Sequence, residues 1–279
     1  MVAQNSDFAK HLGGSRRDCN RPSLFSVEVS SLELSTTEYD AITDACGLLD
    51  RSERGKLALT GGDAKGFLQG QVSNDVEALV PGRGCYAAFL TPKGKMLGDL
   101  RLLDTGDELL LDTERVALQE LFNMIRRFSI GYDVELHKRT LERGLLSLLG
   151  PRSADAAGVE DLPGVEYSHV SAYVAGIPVR AIRTDLGVDL LCDAEQTQAL
   201  AQALQSAGAI AVSDEVAECV RVEHGRPRFG LDLDETVIPQ EADLNERAVS
   251  FTKGCYVGQE TVARLYYRCL LYTSPSPRD

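Results

Sequence analysis

A single cysteine lies at the centre of the most distinctive stretch of the chain, residues 253–260, which have the sequence Lys-Gly-Cys-Tyr-Val-Gly-Gln-Glu. Glycines on both sides of Cys255 allow a tight turn that exposes its thiol. The ammonium of Lys253 would favour the thiolate, which is the nucleophilic and metal-binding form of cysteine. The same pattern also fits a plain glycine-rich turn in which the cysteine only fills space.

A carboxylate, Glu223, is the second candidate for chemistry. A helix is expected after the capping residue Ser213, with an apolar stripe formed by Val216, Cys219 and Val220. Glu223 occupies the next position of this stripe, so periodicity places its charge on the core-facing side, where it needs a partner. That partner is either a ligand with paired N–H donors or a nearby arginine. The candidate arginines are Arg221, Arg226 and Arg228.

The elements that must position these residues follow from alternation, helical periodicity and capping. Strands are predicted at 55–60, 85–90, 96–103, 108–111, 134–136, 145–149, 170–174, 177–182 and 188–192. Helices are predicted after Asp63, from about Glu114, over 194–206 and after Ser213. Strands followed by helices, with hairpins among them, predict an α+β fold.

Composition narrows the class of protein. The chain has 279 residues, a net charge of -13 and no run of about 18 apolar residues, so neither a nucleic-acid groove nor a membrane span is expected. Its seven cysteines are scattered and contain no Cys-x-x-Cys pair, which disfavours a disulfide framework or a zinc site. Residues 1–38 are polar, lack a secretory signal and are predicted to be a flexible leader. A cytoplasmic location is expected.

Four further stretches, taken with residues 253–260, indicate a family. They are Asp-Arg-Ser-Glu-Arg-Gly-Lys at 50–56, Phe-Leu-Gln-Gly-Gln-Val-Ser-Asn-Asp-Val at 67–76, Pro-Lys-Gly-Lys-Met-Leu-Gly-Asp at 92–99 and Arg-Val-Glu-His-Gly-Arg-Pro at 221–227. The chain thereby resembles the YgfZ/GcvT family of tetrahydrofolate-binding proteins from about residue 40 to 268. The resemblance implies a folate-binding region over 39–268, with a ferredoxin-like subdomain at about 145–212.

The resemblance also implies roles for individual residues, with tetrahydrofolate as the cofactor. Asp99 corresponds to the acidic residue that faces the folate in the glycine-cleavage T-protein, and Glu223 to the carboxylate that recognises the pterin. Cys255 and Asp99 are the catalytic candidates. Gly98 stands where the T-protein commonly has a second aspartate, which weakens the case for aminomethyl transfer. The residues placed at the cofactor site are Glu223, Asp99, Arg226, Lys253, Gln259 and Glu260; no metal ligands are assigned.

Residues 253–260 are similar to the YgfZ branch, which is associated with iron–sulfur cluster assembly or repair and with tRNA-modifying iron–sulfur enzymes. The first expectation is therefore a monomeric, folate-binding accessory protein whose partners are folate and iron–sulfur client proteins. Whether Cys255 binds a cluster, transfers a group or exchanges disulfides is left open. The alternatives are a tetrahydrofolate-dependent aminomethyltransferase like the T-protein, or a non-catalytic scaffold.

The end of the chain departs from the family. After residue 268 a family member continues into a further β-rich domain, whereas this chain ends in Cys-Leu-Leu-Tyr-Thr-Ser-Pro-Ser-Pro-Arg-Asp. Residues 269–279 are predicted to be a non-native tail, and the C-terminal β-barrel domain is predicted to be missing.

Overall fold

A computed structural model of the chain describes residues 35–268. The predicted leader is outside the described residues up to residue 34, and the predicted tail, 269–279, is outside them entirely. Helix α1 (Thr36–Asp44) includes the last three residues of the predicted leader. The folded region therefore reaches slightly further back than predicted, because the Ser35 side chain accepts a hydrogen bond from the Glu38 amide and caps the helix.

The described residues form eleven strands and eight α-helices. The strands are β1 (Gly47–Asp50), β2 (Gly55–Thr60), β3 (Arg83–Leu90), β4 (Met96–Asp104), β5 (Leu109–Thr113), β6 (Glu135–Lys138), β7 (Arg143–Leu149), β8 (His169–Val174), β9 (Ile177–Arg183), β10 (Gly187–Asp193) and β11 (Ile210–Ala211). The remaining helices are α2 (Ala64–Gln69), α3 (Leu118–Phe128), α4 (Ser153–Ala157), α5 (Thr197–Ser206), α6 (Asp214–Glu223), α7 (Asn245–Ala248) and α8 (Gln259–Arg268).

The six-stranded sheet has the order β11-β1-β7-β10-β9-β8, and only the β1–β11 pair is parallel. One face carries Leu146, Leu148 and Leu190, which pack with Leu200 and Leu204 of α5. The predicted ferredoxin-like subdomain, about 145–212, coincides with β7 to β11, and β1 joins this sheet from a distant part of the sequence. The chain leaves the sheet after β1, and the residues that follow build the second sheet before it returns at β7.

The five-stranded sheet has the order β3-β4-β5-β2-β6 and is antiparallel throughout. Because side chains alternate along a strand, Leu100 and Leu102 of β4 face the core under α2 and α3. Asp99, Arg101 and Leu103 have the opposite orientation, and Leu103 packs with Ile182 of the six-stranded sheet. The two mostly antiparallel sheets with peripheral helices confirm the predicted α+β class.

The segment after α6 closes the core of the five-stranded sheet. Phe229, Leu244, Val249 and Tyr256 are buried in the same cluster as the leucines of β4. The segment is also joined to the sheet by backbone hydrogen bonds, among them the Met96 amide to the Val237 carbonyl at 2.9 Å. This packing fixes the stretch that contains residues 253–260.

Candidate functional site

The buried carboxyl group of Asp99 lies next to the cleft between the two sheets, because its hydrogen-bond partner Tyr86 lines that cleft. It lies on β4 opposite Ala88 of β3 and is 5% exposed. The hydroxyl of Tyr86 donates a hydrogen bond to its Oδ2 atom at 2.6 Å. Burial raises the pKa of Asp99 to about 6, although the Tyr86 hydrogen bond and the charge of Arg54 lower it. A carboxyl group with this pKa can accept and return a proton near neutral pH.

A buried ionic network joins the two sheets beside Asp99. The Arg101 guanidinium of β4 donates to Asp112 of β5 at 2.5 Å and to Asp189 of β10 at 2.7 Å. Asp112 also pairs with Arg54 at 2.7 Å, and Asp189 accepts from the Ser147 hydroxyl at 2.6 Å. Burial alone would raise the pKa of Asp112, but Arg54 and Arg101 lower it to about 2. The Asp112 carboxylate is therefore held ionised, unlike Asp99.

Two adjoining cavities open next to this network. The smaller, about 160 Å³, is lined by Tyr86, Tyr167 and members of the network. The larger, about 700 Å³, is lined in part by Glu166, Arg183 and His224. Both are lined by Thr184, Asp185 and Leu186. The two cavities therefore adjoin, and Tyr86 lines the smaller one.

Arg247, on the short helix α7, contacts three residues that line these two cavities. Its guanidinium lies 5.3 Å from the centre of the Tyr86 ring, donates to the Tyr167 hydroxyl at 2.8 Å and pairs with Glu166. Its buried Nε–H has no acceptor among the described residues. Arg247 therefore holds lining residues of both cavities in place.

Glu223 does not lie on the core-facing side, and this expectation was wrong. The buried residues of α6 are Val216 and Val220, which pack against α1, whereas Glu223 is the exposed last residue of the helix. The hydroxyl of Tyr39 on α1 donates to its carboxylate at 2.9 Å and has its pKa raised by that bond. Periodicity failed here because the core ends one turn before the helix does.

The structure also differs from the expected arginine partnership of Glu223. Arg221 pairs with Glu218 and Asp232, Arg226 with Asp185, and Arg228 with Glu114. Arg226 is thereby fixed at the rim of the larger cavity, because Asp185 lines it. Neighbouring His224 lines the same cavity, so Glu223 is adjacent in sequence to the cavity wall but is not part of it.

Cys255 is exposed, as the sequence predicted, whereas Cys46 and Cys192 are buried. In the sequence, Cys255 and the exposed Gly254 lie between two residues with buried side chains, Lys253 and Tyr256, which are 8% and 7% exposed. Among the cysteines in the described part of the chain, Cys255 is the exposed one, and Cys85 and Cys219 are partly buried.

Lys253 is not placed as predicted. Its ammonium donates to the carbonyl oxygens of Gln69 (2.6 Å), Val72 (2.7 Å) and Asn74 (2.8 Å), and burial lowers its pKa to about 8. An ammonium has three N–H bonds, and all three are used. The expectation that this charge lies beside the thiol of Cys255 is therefore contradicted, because the carbonyls direct it inward.

The two glycines near Cys255 differ in how closely neighbouring atoms approach them. Gly258 has φ +88°, and a Cβ atom there would lie 2.7 Å from the carbonyl oxygen of Thr91, so only glycine fits. A Cβ atom at Gly254 would meet nothing within 4 Å, so this glycine is not constrained in this way. Gln259 and Glu260 begin α8, where Glu260 pairs with Arg264 at 2.6 Å. Neither lines the two cavities of the cleft.

The structure thus connects some predicted site residues and separates others. Asp99 and Lys253 are linked through Asn74, whose side-chain amide donates to the carbonyls of Tyr86 (2.8 Å) and Arg247 (3.2 Å).

Sequence reasoning missed Tyr86, Arg247 and the ionic network. Alternation in β4 was the available signal, since Asp99 and Arg101 share one face of a leucine-rich strand.

Comparison with known proteins identifies the family. The family model of the GCVT N-terminal domain matches residues 12–253. The chain belongs to the GCVT N-terminal domain family. An Arabidopsis thaliana protein named as a "putative transferase, chloroplastic" is 28% identical over 246 residues, covering 85% of this chain and 57% of that protein. An aminomethyltransferase of Chloroherpeton thalassium is 28% identical over 235 residues, covering 80% of this chain and 65% of the relative.

A solved structure shows the GCVT fold. The glycine cleavage system aminomethyltransferase T from Bartonella henselae superposes with a TM-score of 0.73 at 22% identity, covering 82% of this chain and 66% of that chain. The predicted GcvT-like fold is confirmed. The chain spans about 57–65% of the length of these curated relatives. No helix among residues 35–268 has the length and apolar character needed to cross a membrane.

Proposed function

We propose that the chain binds tetrahydrofolate in the cleft beside Tyr86 and Asp99 and takes part in one-carbon transfer. The observation that carries this proposal is the buried Asp99 carboxyl, whose pKa is raised to about 6 and whose hydrogen-bond partner Tyr86 lines a cavity of the cleft. Membership of the GCVT family and relatives named as aminomethyltransferases support it.

The residues of the cleft fit the chemistry of a reduced folate. Arg183 lines the larger cavity, so its guanidinium can meet a carboxylate of a folate. The pterin ring presents adjacent N–H donors that suit a carboxylate. Glu223 is proposed for that role from the resemblance, with Arg226 nearby; reaching the pterin requires its carboxylate to leave Tyr39.

Tetrahydrofolate supplies the amine nitrogens that accept a one-carbon unit. Asp99 would act on the amine that donates the unit: its carboxylate stabilises developing positive charge, and its acid form returns a proton to the departing amine. The Tyr86 hydroxyl holds the carboxyl group in place at 2.6 Å. With 5% exposure, the group is shielded from competing water.

Asp99 would have to do this without an aspartate at the preceding position. A Cβ atom at Gly98 would lie 2.5 Å from the Phe89 ring and 2.7 Å from the Ala117 Cβ atom. An aspartate therefore does not fit at position 98. This packing supports a donor or a reaction different from that of enzymes with two adjacent aspartates.

Calorimetric titration with tetrahydrofolate tests the binding proposal. We expect Asp99→Asn and Glu223→Gln to weaken binding by about tenfold or more, because each removes a charged hydrogen-bond partner. The matched controls are Asp107→Asn and Glu215→Gln, which change exposed carboxylates outside the cleft. Loss below about threefold in Glu223→Gln contradicts its pterin role, and no binding by the unaltered chain contradicts the proposal itself.

Incubation with tetrahydrofolate and a set of aminomethyl donors, whose transferred carbon is already at the oxidation level of formaldehyde, tests the transfer step. The expected product is methylene-tetrahydrofolate, formed by the unaltered chain and lost in Asp99→Asn. Folate binding without product for any donor would refute one-carbon transfer and leave an accessory or scaffold role.

The exposed thiol of Cys255 supports a second candidate function. From the resemblance of residues 253–260, we propose for this thiol an accessory role in iron–sulfur cluster assembly or repair, acting on client proteins that include tRNA-modifying iron–sulfur enzymes. The test is complementation of a strain that lacks the native factor, read as activity of an iron–sulfur enzyme. Cys255→Ala should fail and Cys219→Ala should succeed; full rescue by Cys255→Ala contradicts the thiol role.

A further inference from the structure

We propose that Lys253 is a positioning residue for Cys255. Its buried ammonium joins two loops, residues 69–74 and residues 250–257, by donating to three carbonyl oxygens of the first loop at 2.6, 2.7 and 2.8 Å. We call these three hydrogen bonds the Lys253 clamp. The proposal rests on the proposed role of the Cys255 thiol for its functional meaning.

The geometry of the clamp requires a compact cation. Three carbonyl oxygens converge on one nitrogen, and an ammonium supplies three N–H donors from a single atom. The same nitrogen lies 5.1 Å from the centre of the Tyr256 ring, close enough for a cation–π interaction. Replacement by a hydrocarbon side chain would leave three buried carbonyl groups without this donor, which is costly.

Further hydrogen bonds place the clamp next to the cysteine. The Ser250 amide donates to the Ser73 carbonyl at 2.9 Å, and the Val257 amide donates to the Gly70 carbonyl at 3.2 Å. These bonds lie on either side of Cys255 in the chain. The loop is thus attached before and after the thiol, and the clamp is the charged contact between the two attachment points.

The clamp also connects the thiol loop to the cleft. The carbonyl of Asn74 accepts from Lys253, while the side-chain amide of Asn74 donates to the carbonyls of Tyr86 and Arg247. Tyr86 lines the smaller cavity, and the Arg247 guanidinium lies against the Tyr86 ring. Lys253 therefore sets where the thiol lies relative to the cleft, and it does so without a free N–H for a ligand or for the thiol.

The test replaces Lys253 by alanine and measures the loop directly. Hydrogen exchange reports on the Ser250 and Val257 amides, and peptide mapping after iodoacetamide treatment reports the alkylation rate of Cys255. We expect exchange in this loop to become at least about tenfold faster and the alkylation rate to change, with exchange in β4 and β5 unaltered. The matched control is Lys95→Met, because Lys95 is exposed and donates to a single carbonyl, that of Thr236, at 2.7 Å.

Chemical rescue separates the clamp from simple packing. n-Propylammonium replaces the atoms that Lys253→Ala removes and should restore slow exchange and the original alkylation rate. n-Propanol fills similar volume without the charge and should restore neither. Unchanged exchange and alkylation in Lys253→Ala, or equal rescue by n-propanol, would overturn the proposal.

Lys253→Gln covers the case in which the alanine variant fails to fold. Its neutral amide retains two donors, so exchange should be intermediate between the unaltered chain and full loss of the clamp; exchange equal to that of the unaltered chain overturns the proposal. Neither readout uses folate or an iron–sulfur enzyme. Failure of the proposed function and failure of the clamp are therefore distinguishable.

Discussion

Replacing Asp99 by asparagine should change how the stability of the protein depends on pH. The folded-state pKa of Asp99 is raised from its ordinary value of 3.8 to about 6, mainly by burial. The folded protein therefore holds this proton more tightly than the unfolded chain does. The resulting stabilisation is fully present below about pH 4 and is lost as the pH rises through about 6.

The difference between the two pKa values sets the size of the effect. It corresponds to about 3 kcal/mol between the fully protonated and the fully ionised limits. The asparagine side chain has no titratable group, and its carbonyl oxygen can still accept the Tyr86 hydrogen bond. The free energy of unfolding of Asp99→Asn, relative to the unaltered chain, should thus rise by about 2–3 kcal/mol between about pH 4 and pH 7.5.

Urea unfolding of both proteins at these two pH values measures how the difference between their free energies of unfolding changes with pH. Asp107→Asn is the control, because Asp107 is exposed. All other carboxyl groups are common to both proteins, so their contributions cancel. A stability difference that does not vary with pH would show that Asp99 has an ordinary pKa. The proton-transfer role proposed for it would then lose its physical basis.

Three further substitutions test other parts of the structure. Gly258→Ala should destabilise the protein by more than about 1 kcal/mol in urea unfolding, because its φ of +88° and the Thr91 carbonyl oxygen exclude a Cβ atom; a neutral result would contradict the close approach. Arg101→Met should lower the free energy of unfolding by about 3–5 kcal/mol, since it leaves two buried carboxylates without their shared partner. A loss under about 1 kcal/mol would refute the burial of these carboxylates. Tyr86→Phe removes a hydrogen bond that lowers the pKa of Asp99, so carboxyl NMR should show a pKa above about 6 for this group. An unchanged or lower pKa would contradict the contact between Tyr86 and Asp99.

Local elements were predictable because their patterns are local. The alternation at 55–60 predicts β2 with its observed bounds, and the helix predicted after Asp63 is α2, which buries Ala64, Phe67 and Leu68. The helix predicted over 194–206 is α5 preceded by a 3-10 turn. Gly208, with a φ of +101°, follows its end.

The site was less predictable because its contacts join distant parts of the sequence. No spacing rule brings Arg247 to Tyr86 and Tyr167. Lys253 binds backbone carbonyls, which every residue possesses, so side-chain pattern gives no indication of its partners. Periodicity gave a direction for Glu223 but could not reveal that the apolar contact of α6 ends at Val220.

The interruption of the six-stranded sheet has a consequence for synthesis on the ribosome. Strand β1 emerges long before β7 and β11, the two strands that flank it, because the whole five-stranded sheet is translated in between. The core of the five-stranded sheet is complete only after Phe229, Leu244 and Tyr256 have been synthesised. A nascent chain paused near residue 140 would therefore expose the apolar side chains of the unpaired β1 and of the incomplete five-stranded sheet, and we expect it to be bound by chaperones.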